Sequence, residues 1–149
     1  VSSGAALAPV GVPRWQRRLA SVLSLVRPTL RVGGKIDGAI LSRDPEVARA
    51  YLQDPLVSTG VTAGLGQALF DGMALHRHNR TQLCIPALVL HGGDDTLVPP
   101  EAKETMAALP GVEREVLSGM RHEIFNEFGH EALLDHVVGW LRAGVDRLP

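Results

Sequence analysis

The clearest apolar pattern in the chain is a short, unbroken run over residues 87–90. Pro86 precedes this run and a pair of glycines follows it at Gly92, so residues that commonly end regular elements lie on both sides. A continuous apolar run with such boundaries is typical of a strand that is buried on both faces of a parallel sheet. A second strand is predicted near Glu113 to Leu117, after a Pro-Gly turn. The second half of the chain is therefore expected to contain part of a parallel sheet.

Three helices are predicted in the first half of the chain. Residues 13–26 place apolar side chains at helical spacing with Gln, Arg and Ser between them, which indicates an amphipathic helix. The second helix has Asp44 as its N-cap and Pro45 at its first helical position. The third helix is capped by Thr62. Its predicted apolar face comprises Leu65, Ala68, Leu69, Gly72 and Met73.

Two further helices are predicted in the second half. One begins at Pro100 and runs to about Leu109, and the other runs roughly from Glu131 to Ala143, with Gly144 closing it. The last helix is expected to bury Leu133, Leu134, Val137, Val138 and Leu141. The alternation of strand, helix, strand and helix is typical of a doubly wound α/β fold.

The predicted elements divide the chain into three parts. Residues 1–9 are interpreted as the end of a sheet strand and a loop. Residues 10–80 are mostly helical and too long for a simple connection between strands, so we interpret them as an inserted helical cap. Residues 81–149 are interpreted as the C-terminal part of the α/β core. Because the chain begins at Val1 without Met, we expect it to be part of something longer.

Composition and charge narrow the range of partners. The 149 residues are 45% hydrophobic and carry a net charge of -1, which supports a packed core and argues against general nucleic-acid binding. No apolar stretch is long enough to span a bilayer and no basic leader is present, so a cytoplasmic or peripheral membrane location is expected. The single Cys84 is expected to be a packed, inert thiol. Residues 1–36 carry six basic side chains and no acid, which indicates either solvated surface or contact with anionic lipid.

Candidate chemistry lies where the two predicted strands end. Asp94 and Asp95 follow the first strand, and His122 lies in the loop after the second. Because ligands bind at the carboxyl edge of the strands in open α/β sheets, an acid and an imidazole are expected at one edge. The sequence from His122 to Asn126 begins like a zinc-binding helix but lacks the second His. We therefore expect no metal and no cofactor.

The residues at these positions resemble a known family. Residues 88–99 (LVLHGGDDTLVP), residues 122–127 (HEIFNE) and the helix ending in VGWL are similar to the C-terminal half of an α/β-hydrolase of the bacterial monoacylglycerol lipase, or lysophospholipase-like, family. Residues 41–47 (LSRDPEV) and 51–57 (YLQDPLV) are similar to the cap segment of that family. The resemblance implies a partial α/β-hydrolase fold and a lipid ester as the small-molecule substrate.

The resemblance also implies roles for individual residues. Asp95 is expected to be the acid of a catalytic triad, His122 its histidine, and Asp94 only a neighbour. In the cap, Leu65, Leu69 and Met73 are expected to line a passage for the acyl chain. No Gly-x-Ser-x-Gly motif occurs, and none of the seven serines lies in a strand-to-helix elbow. The resemblance therefore places the nucleophile and the oxyanion donors upstream, and the chain alone is predicted to be inactive.

Three functions remain open at this point. The first is a serine esterase or lipase that hydrolyses monoacylglycerols, with His122 as the base and Asp95 as its orienting acid. The second is another enzyme with this fold, such as a dehalogenase or an epoxide hydrolase, which would use an Asp nucleophile in the upstream half. The third is a non-catalytic remnant with a binding role. The upstream sequence would distinguish the first two.

Overall fold

The computed structural model describes residues 1–3, 7–32, 36–58, 60–79 and 85–145. The helices among these residues are α1 (Arg14–Val26), α2 (Pro45–Gln53), α3 (Ala63–Asn79) and α4 (His130–Val145). The strands are β1 (Arg31–Val32), β2 (Val61–Thr62), β3 (Ala87–Gly92) and β4 (Val112–Leu117). Short 3-10 helices lie at Gly38–Ile40, Pro100–Met106 and Ile124–Asn126. Cys84, predicted to be a packed thiol, lies outside the described residues.

The parallel sheet predicted from the apolar runs is present. Strands β3 and β4 pair in parallel, with Ala87 opposite Val112 and Gly92 opposite Leu117. On the other edge of β3, Ser2 forms a parallel bridge to Val89, with its N–H 2.8 Å from the Leu88 carbonyl oxygen. Strand β3 is thus flanked on both edges, and its residues 88–92 are buried. This central position explains why its sequence is a continuous apolar run.

The hydrophobic core lies between β3 and α4. Its buried members are Leu88, Leu90, Ile124 and Leu133. Helix α4 was predicted to bury five apolar side chains, but Leu134, Val138 and Leu141 are exposed. The helix instead contacts the core through Leu133, Val137 and Trp140, a narrow stripe at i, i+4 and i+7. The neighbouring positions lie about 100° further round the helix and face away from the core. Gly144 was predicted to end α4 but lies inside it.

The helices of the first half have the predicted caps. At α2, the Asp44 carboxylate accepts a hydrogen bond from Glu46 N at 2.9 Å, and Pro45 occupies the first turn. At α3, Leu65 N donates to Thr62 Oγ1 at 3.2 Å. These contacts satisfy backbone N–H groups that have no partner within a helix, so each helix begins where the sequence places it.

Three features of the fold go beyond the predictions or differ from them. Strands β1 and β2 pair antiparallel over two residues each, which is too short to leave a period-two pattern in the sequence. The helix predicted after Pro100 is a 3-10 helix that ends at Met106. In α1 most of the apolar face is exposed, with Trp15 at 62% and Val26 at 73% of their full accessible surface, while Leu23 is half-buried. Among the described residues, no helix combines the length and apolar character that crossing a bilayer requires.

Gly92 at the end of β3 provides a test of this packing. A Cβ there would overlap the carbonyl oxygens of Met120 and Arg121 in the loop after β4. Because these oxygens belong to the backbone, Gly92→Ala is expected to lower the free energy of unfolding by about 2–3 kcal/mol or more. The control is Gly139→Ala in α4, where a Cβ meets no atom within 4 Å. It should be neutral or raise stability by up to about 1 kcal/mol. Urea denaturation of both variants measures the difference, and equal stability would contradict the described contact.

Candidate active site

Asp95 is a buried carboxylate in the loop that follows β3. Its Oδ1 accepts hydrogen bonds from the backbone N–H of Leu97 at 3.0 Å and of Val98 at 2.9 Å. These bonds to its own loop are an Asx-type arrangement, which fixes the side chain locally. With Oδ1 occupied by the loop, Oδ2 is directed towards the loop that follows β4.

His122 lies in that second loop and contacts Asp95 directly. Its Nδ1 is 2.9 Å from Asp95 Oδ2, which is a hydrogen-bonding distance. The carboxylate thereby favours the tautomer with the proton on Nδ1 and leaves Nε2 able to accept a proton. Asp94 is exposed, and its backbone N–H donates to Met120 O at 2.9 Å. The structure thus pairs His122 with Asp95 and not with Asp94, as predicted.

The His122 side chain is partly open to a cavity. It retains 20% exposure, whereas Asp95 retains none. The cavity is lined by Ser3, His122, Glu123, Ile124, Phe125 and Asn126. An imidazole whose inner nitrogen binds a buried carboxylate and whose ring faces a cavity is arranged for proton transfer to or from a ligand. Ser3 was not predicted to be near His122, because no pattern in the sequence marks it.

Two further buried side chains, His91 and Lys103, lie near Asp95. His91 Nε2 is 2.6 Å from Val98 O and 3.2 Å from Asp95 Oδ2, so it contacts both the loop and the carboxylate. The Nδ1 of His91 is buried and has no hydrogen-bond partner among the described residues. His91 is therefore a buried histidine at the end of the strand with one of its two ring nitrogens in polar contact.

Lys103 is fully buried in the 3-10 helix after this loop, and its Nζ donates to Leu90 O at 3.2 Å. Burial lowers the pKa of Lys103 to about 8, although the nearby Asp95 carboxylate acts to raise it. At neutral pH most Lys103 side chains still carry a proton, so a positive charge lies near the buried acid. No sequence pattern distinguishes this lysine from the exposed lysines of most helices.

The loop that carries His122 is attached to the segment before α2 by a second buried carboxylate. Glu127 Oε1 accepts hydrogen bonds from Arg121 N at 2.8 Å and Arg43 N at 3.2 Å. Its Oε2 lies 3.0 Å from Arg43 Nε. Burial acts to raise the pKa of Glu127, but the hydrogen bonds from Arg121 and Arg43 outweigh it and hold the pKa below the ordinary value.

The predicted acyl-chain residues do not line the cavity beside His122. Leu65 and Leu69 are exposed on α3, at 52% and 51%, and Met73 is half-buried. A cavity between α1 and α3 is lined instead by mostly polar side chains: Arg14, Arg17, Arg18, Ser21, Gln67 and Phe70. None of Leu65, Leu69 and Met73 lines this cavity, and the role of the three side chains stays a prediction. The described residues also contain no cluster of three or more His, Cys, Asp or Glu side chains placed to hold a metal ion.

Comparison with known proteins gives a consistent set of relatives. The family model described as "Serine aminopeptidase, S33" (Hydrolase_4) matches residues 1–129. A monoacylglycerol lipase of Mycolicibacterium smegmatis is 35% identical over 127 residues, which cover 83% of this chain and 45% of that protein. An uncharacterized abhydrolase domain-containing protein of Dictyostelium discoideum is 24% identical over 132 residues, covering 86% of this chain and 14% of that protein.

Solved structures show the same relationship. The monoacylglycerol lipase of Paleococcus ferrophilus superposes with a TM-score of 0.85 at 29% identity, covering 95% of this chain and 57% of that one. A soluble variant of the monoglyceride lipase of Saccharomyces cerevisiae, solved with a substrate analog, gives a TM-score of 0.72 at 19% identity, with coverages of 88% and 47%. The chain thus spans about half the length of the lipases that it matches.

Proposed function

The chain belongs to the serine aminopeptidase S33 family (Hydrolase_4), and from this premise we propose that it supplies the acid and the histidine of a serine hydrolase acting on monoacylglycerols. Its fold is part of an α/β-hydrolase fold, as the sequence predicted. The observation that carries the proposal is the 2.9 Å contact between His122 Nδ1 and Asp95 Oδ2 beside an open cavity. In the full-length protein, we expect this chain to be joined to a segment that corresponds to the part of its relatives that it does not match.

In the proposed reaction, His122 transfers protons and Asp95 orients it. Nε2 of His122 takes the proton of an upstream serine while the serine oxygen bonds to the carbonyl carbon of the ester. His122 then gives that proton to the departing glycerol oxygen, and the ester C–O bond breaks. Water hydrolyses the acyl-enzyme with the same transfers. At each transfer to His122, the buried Asp95 carboxylate stabilises the imidazolium.

The proposed substrate class rests on two kinds of support. The lipases that match this chain are named for monoacylglycerol or monoglyceride. In addition, α3 exposes Leu65 and Leu69, which a helix packed only within its own domain would normally bury. We assign these two leucines and Met73 to contact with the acyl chain in the full-length protein.

Helix α1 supports a second contact, with a lipid surface. Its apolar stripe of Trp15, Leu19, Val22 and Val26 faces outward, and the exposed Arg14 and Arg18 lie beside it. Apolar residues that include Trp, next to arginines, are typical of helices that lie in the interface of anionic membranes. We assign this face to peripheral contact with the membrane that holds the substrate.

The division of roles between the two aspartates is testable in the full-length protein. Asp95→Asn is expected to lower kcat for a monoacylglycerol by about 10³ to 10⁴-fold, because the tautomer of His122 is no longer controlled. Asp94→Asn is the matched control and should cost little, because Asp94 is exposed and His122 contacts Asp95. Steady-state hydrolysis measures both. Equal losses would refute the roles, and faster cleavage of amino-acid nitroanilides than of any monoacylglycerol would refute the substrate class.

A second prediction concerns chain length. Replacing Leu65 and Leu69 together by Asp should reduce hydrolysis of long-chain esters more than that of short-chain esters, because only a long acyl chain reaches α3. The control is Leu75→Asp, an exposed leucine of the same helix on a different face. Comparison of kcat/KM across a series of chain lengths gives the result. Equal losses at every length would mean that these leucines do not contact the acyl chain.

The third prediction tests the lipid surface. Replacing Trp15 and Val26 together by Ser should weaken binding to phosphatidylcholine vesicles that contain phosphatidylserine by about tenfold or more, because two apolar anchors are lost. Leu56→Ser is the control, since Leu56 is 92% exposed but lies outside α1. Vesicle sedimentation at low and high salt is the measurement. If the double variant and the control bind like the wild type, α1 is not the membrane contact.

A further inference from the structure

Two distant segments of the chain are joined beside His122. Residues 39–43 precede α2, and residues 121–127 form the loop after β4. Glu123 N donates to Leu41 O at 2.8 Å, and Ser42 Oγ donates to Asn126 O at 2.9 Å. The Arg121 guanidinium donates to Ser42 O at 3.2 Å and also contacts Ala39 O. Hydrogen bonds therefore run in both directions between the two segments.

Glu127 lies at the centre of this junction, and its side chain is completely buried. A buried carboxylate is costly unless donors surround it, and here charge-assisted bonds come from both segments. Oε1 binds the N–H of Arg121, the residue directly before His122, and also the N–H of Arg43. Oε2 binds only the Arg43 side chain. The same carboxylate thus holds the peptide that leads into His122 and the segment that leads into α2.

The polar contacts of Glu127 are with donors of the His122 loop and of the segment before α2. An apolar residue of similar size would avoid the cost of burying a charge, but it would leave the N–H groups of Arg121 and Arg43 without their acceptor. The negative charge of Glu127 therefore accepts hydrogen bonds at the place where the His122 loop meets the segment before α2.

We propose that Glu127 is a positioning residue, which orients His122 towards Asp95 through the Arg121 N–H and couples this orientation to the segment before α2 through Arg43. Its catalytic consequence rests on the function proposed above. A displacement of the segment before α2 would reach His122 through this carboxylate. Glu127 itself touches neither the reacting atoms nor His122.

The two carboxylate oxygens allow the contacts to be separated by mutation. Glu127→Gln keeps an amide oxygen to accept from the two backbone N–H groups but places an NH₂ group against Arg43 Nε. Arg43→Ala removes the side-chain donor and keeps the Arg43 N–H. Glu127→Ala removes every contact. The matched control is Arg49→Ala, which breaks the exposed ion pair with Glu46 on α2.

In the full-length protein, Glu127→Ala should lower kcat by about 100-fold with KM little changed, because a small displacement of a catalytic group is costly. Glu127→Gln and Arg43→Ala should each lower kcat by about tenfold, and combining them should cost no more than either alone, since both break one contact. Arg49→Ala should match the wild type. The Nδ1 proton of His122, followed by NMR, should exchange with water faster in Glu127→Ala, Glu127→Gln and Arg43→Ala than in the wild type.

The outcomes separate this proposal from the proposed function. A folded Glu127→Ala protein with unchanged kcat and unchanged Nδ1 proton exchange would overturn the positioning role. If that variant does not fold, Glu127→Gln and Arg43→Ala decide by the same two measurements. Additive losses would overturn the coupling through Arg43. If the wild-type protein hydrolyses no ester, the proposed function fails, and proton exchange at His122 alone decides whether Glu127 positions it.

Discussion

The buried carboxylate of Asp95 is the constraint on which the rest of the site depends. A carboxylate without water must find a donor for each oxygen, and here the backbone of its own loop satisfies Oδ1. Oδ2 is contacted by His122 from another part of the chain at 2.9 Å, with His91 Nε2 also 3.2 Å away. This requires the two strand-end loops to lie close together. The absence of a side chain at Gly92 permits that approach, because the backbone of residues 120–121 packs directly against it.

The charges around the site follow the same rule. Asp95 and Glu127 are both buried acids, and each is satisfied by backbone N–H groups on one oxygen and by a basic side chain on the other. They differ in the Lys or Arg side chain that lies near each carboxylate. Lys103 lies buried near Asp95, while Glu127 pairs with Arg43, which extends towards solvent. His122 therefore lies between two fixed anions, one that contacts its ring and one that holds the backbone before it.

Much of this arrangement is local in origin and was predicted from the sequence. The apolar run of β3 and the Asp44 cap of α2 depend on residues that are close in the chain. Asp95 and His122 were predicted to lie together because each follows a strand of a parallel sheet, and such strands end at the same edge. The missed features are long-range. Glu127 and Arg43 are 84 positions apart, and nothing near either residue in the sequence indicates the other. The burial of Lys103 could not be predicted for the same reason, because it depends on contact with β3 and not on the residues of its own helix.

The helix faces show a different limit of sequence patterns. In α1 and α4 the periodicity correctly marked amphipathic helices, yet Trp15 and Leu134 are exposed in the described structure. A periodic pattern specifies that one face of a helix is apolar, but it does not specify what covers that face. The covering surface can be the helix's own core, a lipid or a part of the protein outside this chain. Burial in α4 accordingly follows its contact with β3, and the residues beyond that contact keep their apolar character without being buried.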